Sequence, residues 1–84
     1  MNATTPRSWT EGDLEHLDVR GLPPPQPMVI ILRCLRQGGR TAPLLVHLER
    51  DPVMLYPELA EIGWEGVRQP GTPGDVRLLL RALP

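Results

Sequence analysis

Gly21-Leu22-Pro23-Pro24-Pro25-Gln26-Pro27-Met28 divides a strand-like run from a helix-like one. Proline has φ fixed near the helical value and no N–H. It therefore suits the first turn of a helix, where N–H groups have no intrahelical partner. The four prolines between positions 23 and 27 predict a helix that opens at about Pro25 or Gln26 and runs to Gln37. Just upstream, Leu14, Leu17 and Val19 interleave with His16, Asp18 and Arg20. That pattern is a half-buried strand of about six residues, and Gly21 ends it.

Within the helix, Met28, Ile31, Leu32 and Leu35 fall on one face, and Gly38-Gly39 supplies the stop. Val29, Ile30 and Cys34 lie off that stripe, with Ile30 and Cys34 on one ridge. Two readings are open for them. They are covered by a tail or loop, or they form a surface for a protein partner or a second copy of the chain.

Ala42–Glu49 alternates again, with Leu44, Val46 and Leu48 on one side and Leu45, His47 and Glu49 on the other. Strand, helix and strand joined by short links predict a right-handed βαβ unit with parallel strands. Asp51-Pro52 then predicts a second helix, with Asp51 as its cap, split at Pro57 into a turn and a fresh start and ended at Gly63. Leu55, Leu59 and Ile62 are its core residues.

Trp64–Gln69 and Val76–Leu83 read as strands paired in a hairpin across the turn-rich Pro70–Asp75. The expected fold is α+β: a two-layer sandwich in the order β-α-β-α-β-β, with a four-stranded mixed sheet and both helices on one face. Residues 1–13 read as a disordered tail and 14–84 as the domain. Trp9 is the one aromatic in that tail, positioned to dock on the domain.

An 84-residue chain has room for one core. A net charge of −1 argues against nucleic acid as partner. All nine basic residues are arginine, which fits a GC-rich bacterial genome. A single cysteine, Cys34, excludes an internal disulfide and fits a reducing compartment. No apolar run is long enough to span a membrane and no secretory signal precedes the domain, so the expected location is cytoplasmic.

His16, Asp18, His47 and Glu49 share the sheet face away from the helices if their strands are neighbours. Two imidazoles and two carboxylates suit Zn²⁺ or Fe²⁺. An open sheet face covered with ordinary polar residues explains them more simply and is the preferred reading. No cofactor is expected. Tyr56, beside Pro57, reads as a rim residue or a pocket residue.

Gly21-Leu22-x-x-Pro25-x-Pro27-Met28 at a strand-to-helix junction resembles the signature of the TusA/SirA-like superfamily, in which a Cys-Pro-x-Pro motif opens the first helix of such a sandwich. Leu17-Asp18-Val19-Arg20-Gly21-Leu22-Pro23-Pro24, Leu55-Tyr56 and Gly63-Trp64 look more like an uncharacterised bacterial branch of that superfamily. The resemblance covers about Leu14 to Ala82 and implies the fold above. Its sulfur carriers hold persulfide on the motif cysteine, a task that needs a thiolate at a helix N-terminus. Here Pro24 stands at that position, with Pro25, Pro27 and Met28 completing the motif.

Cys34 lies about ten residues further on, roughly 15 Å along the helix. The expected function is therefore non-enzymatic: protein interaction or a redox-linked regulatory role. Thiol-dependent sulfur transfer and ligand binding on the open sheet face are the alternatives.

Overall fold

The computed structural model describes residues 6–84. Strand β1 (Arg7–Glu11) turns through Gly12-Asp13 into β2 (Leu14–Asp18). Helix α1 (Gln26–Arg36) and a 3₁₀ turn (Gln37–Gly39) lead to β3 (Leu44–Leu48). Helix α2 (Leu55–Glu61) and the hairpin of β4 (Trp64–Gln69) and β5 (Val76–Ala82) complete the chain. The sheet order is β1-β2-β3-β5-β4. Among the described strands, β2 and β3 are parallel and every other neighbouring pair is antiparallel.

Period-two alternation decides which side of the sheet is buried. Leu17, Leu44, Val46, Leu48, Val76, Leu78 and Leu80 point to the side covered by α1 and α2. There they meet Ile31, Leu32 and Leu35 of α1 and Leu55 and Leu59 of α2 in one core. Trp64 closes that core at the β4 end. Gly66 of β4 is glycine for a steric reason. A Cβ there would sit 3.0 Å from Leu78 Cδ2 and 3.3 Å from Leu59 Cδ1.

The expected four-stranded sheet is corrected to five strands, in the order β-β-α-β-α-β-β. The added strand is β1, in a stretch whose composition reads as tail. The reason is its position. β1 lies at the sheet edge beyond the helices, so neither of its faces is buried in the apolar core and no apolar alternation marks it. The legible signal was Gly12-Asp13, a two-residue hairpin connection. Glu11 pairs with Leu14 across it. Gly12 takes φ +62 and Asp13 does not take a positive φ, the pattern of a type II′ turn. Residues 1–5, which the tail reading also covered, lie outside the described residues.

A second correction concerns α2. Its N-cap is Met54, and Asp51 does not cap it. The 51–54 segment forms its own turn, closed by Leu55 N–H donating to the Pro52 carbonyl at 2.8 Å. Pro57 falls in the first turn of the helix, where its missing N–H costs nothing. Asp51 instead accepts the Tyr56 hydroxyl at 2.7 Å.

Candidate functional site

The proline run and the turn before α2 meet across the carboxyl ends of β2 and β3. Between them lies a cleft of about 320 Å³. Pro24, Pro25, Pro27 and Met28 form one wall, and Pro52, Val53 and Met54 the other. Leu48 and Leu55 contribute to its lining from β3 and α2. Val53 and Met54 are 68% and 74% exposed, unusual for apolar side chains in so small a core. Open α/β sheets bind ligands in this place, outside the carboxyl ends of parallel strands.

The cleft lining is mostly apolar, with Glu49, Arg50 and Asp51 as its charged residues. Among the described residues, no Cys, Ser, Thr or His lines it. Its two carboxylates have structural partners. Glu49 accepts from the Gly21 N–H at 2.9 Å, and Asp51 holds Tyr56 and faces Arg68 at 3.6 Å. The start of α1 is poor in donors. Gln26 N–H is bonded to the Pro23 carbonyl at 2.9 Å, and Pro27 has no N–H to give. Arg50 is the cation of the lining. Tyr56, a possible pocket residue by sequence, stands outside the cleft lining, and burial and its bond to Asp51 push its hydroxyl pKa up.

The open sheet face brings His16 and His47 together as the parallel pairing of β2 and β3 requires. Their rings stack 5.2 Å apart, with Nδ1 of His16 3.0 Å from Nε2 of His47. Trp9 covers both, with centroids 5.2 and 5.3 Å from theirs. Trp9 is thus docked, on the sheet side opposite the helices. One histidine nitrogen must donate to the other, which two imidazolium rings cannot do. Burial and then the neighbouring His16 hold the His47 pKa below its ordinary value.

Asp18 is committed elsewhere. Nε and Nη2 of Arg20 each donate to it at 2.9 Å, and the Arg20 backbone N–H donates at 3.0 Å. These bonds hold its carboxyl at about 2. Glu49 points to Gly21. The four residues do not converge, and among the described residues no three His, Cys, Asp or Glu side chains are grouped to hold a metal ion.

The ridge on α1 is divided. Ile30 and Cys34 are half-buried against the core, and only Val29 is exposed. Arg40 folds over Cys34, its guanidinium 4.0 Å from Sγ and 2.9 Å from Glu15. Burial raises the Cys34 thiol above its ordinary pKa, leaving it less nucleophilic at neutral pH.

Val53, Met54 and Arg50 are the candidate residues that sequence reading missed. Their signal was an apolar pair directly after Asp51-Pro52 that has no place in the stripe of α2.

The architecture defines a small α+β domain with a mixed sheet covered on one side by two helices. Residues 16–82 match the family described as Uncharacterized conserved protein (DUF2249), and the chain belongs to that family. No curated protein matches the chain. No helix of the described residues is long and apolar enough to cross a membrane.

Proposed function

We propose that this protein is a non-enzymatic interaction domain whose cleft at the start of α1 grips an apolar side chain of a protein partner. The supporting observation is the pair Val53 and Met54, held in water at the mouth of an apolar cleft. Arg50 at the same site favours a partner segment with a carboxylate beside its apolar residue. The motif likeness to TusA- and SirA-like proteins supports the same location, the point where those carriers present sulfur. We take the setting to be the cytoplasm.

The test is a photoreactive residue at position 54, irradiated in extract of the native cell. A discrete adduct is expected that unlabelled wild-type protein suppresses and Met54→Glu protein does not. Equal suppression by both proteins would show that the cleft is not the gripping surface.

Sulfur transfer is tested separately. Wild-type protein is expected to take up no sulfane sulfur from a donor, because Pro24 offers no thiol and Cys34 is shielded. Pro24→Cys places an exposed thiol at the helix start, and it should react with an aromatic disulfide roughly tenfold faster than Cys34. Intact mass and reaction rate report both outcomes. Stoichiometric persulfide on the wild-type chain would reverse the assignment.

A further inference from the structure

Among the described residues, strand β1 leaves one edge of the sheet open. Its sequence is Arg7-Ser8-Trp9-Thr10-Glu11, with a cation at one end, an anion at the other and an aromatic in the centre. Arg7, Trp9 and Glu11 all point to the open sheet face, since Trp9 pairs with His16 and Arg7 with Asp18. Arg7 and Glu11 are 73% and 68% exposed at their side chains. Their contacts within the chain are long, 3.6 Å from Arg7 to Asp18 and 3.3 Å from Glu11 to His16.

We propose that β1 is the contact surface for a second copy of this chain, added antiparallel about a two-fold axis through Trp9. When two identical strands pair across an axis normal to the sheet, facing residues lie on the same side. Their numbers must then sum to an even value. Centring on Trp9 sets Arg7 against Glu11 of the second copy, twice over, and Ser8 against Thr10. Centring on Ser8 sets Arg7 against Trp9, and centring on Thr10 sets Trp9 against Glu11, so both lose the ion pairs. Only the central register satisfies both charges, and oppositely charged cross-strand pairs are favourable while like pairs are not.

It also continues a row of alternating sign, from Asp18 to Arg7 to Glu11 of the second copy. Charges on a sheet edge ordinarily repel a foreign strand. This edge repels most strands and accepts its own. The opposite edge offers no such match. In β4, Glu65 is already bound by Arg81 at 2.6 Å and Arg68 faces Asp51. Centring β4 on Gly66 or Val67 sets Glu65 against Val67 or Gln69.

Light scattering on the full chain at low salt and high concentration should give a mass twice that of one chain. Arg7→Glu protein and Glu11→Arg protein should each be monomeric, with dimer dissociation constants raised at least tenfold. Both changes are at exposed edge positions, and circular dichroism checks that each variant is folded. Mixed in equal amounts, the two variants should associate. One then carries carboxylates at both positions and the other guanidinium groups at both, so each facing pair across the axis is again of opposite charge. A monomeric wild type overturns the proposal, as does a dimer indifferent to both substitutions. Monomeric variants that stay apart on mixing overturn it too, since the loss would then not come from the register argued here.

Discussion

Replacing Leu59 by alanine is expected to cost about 3 kcal/mol of folding free energy. Leu59 is fully buried and projects from a helix of seven residues onto β4 at Gly66. Because Gly66 has no side chain, the strand position directly beneath Leu59 cannot fill the space left behind. Gly66→Ala alone should also destabilise, by about 1–2 kcal/mol, through its contacts with Leu78 and Leu59. Combined, the two should cost about 1 kcal/mol less than their sum, because the new methyl group enters the void that Leu59 vacates. Urea unfolding of the four proteins measures this coupling. Strict additivity would show that Leu59 and Gly66 do not share one packing site.

Acid should weaken the domain in two windows. The Asp18 carboxyl titrates at about 2 in the folded protein against an ordinary 3.8, because Arg20 binds the charged form. Its contribution is complete above 3.8 and is lost as pH falls from there to about 2, an amount of about 2 kcal/mol. His47 acts in the same direction at higher pH. Its folded value lies below the ordinary 6.5, so the unfolded chain takes up a proton first. Stability then declines from 6.5 down to the folded value and levels off. Urea midpoints should therefore fall as pH drops through 6.5, level off, and fall again between 3.8 and about 2. Asp18→Asn should lose about 2 kcal/mol at neutral pH and abolish the lower window alone. If the Asn variant keeps that window, another carboxylate is responsible.

The parts legible in the sequence are those where an apolar period meets the core. Leu44, Val46 and Leu48, the stripe of α1, and the β4–β5 hairpin show their burial directly in the spacing of their residues. β1 is held by a different force. Its anchor, Trp9, packs on two histidines, and a stack of heteroaromatic rings leaves no trace in hydrophobic periodicity. The proximity of His16 and His47 followed from the βαβ expectation, but their function as a shared hydrogen bond beneath Trp9 did not. The cleft was half visible. The proline run announced a helix start, while the opposing wall at Val53 and Met54 depends on how the turn after Asp51 folds back.

The single parallel contact in the sheet has a consequence in time. Both outer hairpins, β1 with β2 and β4 with β5, join strands that are neighbours along the chain. Hairpins of this kind close within microseconds. The histidines of β2 and β3 are 31 residues apart, so their pairing must first close a long loop that carries α1. β3 pairs on its other side with β5, also distant in sequence. The chain thus divides into two quick local pieces and one slow seam, and β3 is the strand on which their union waits.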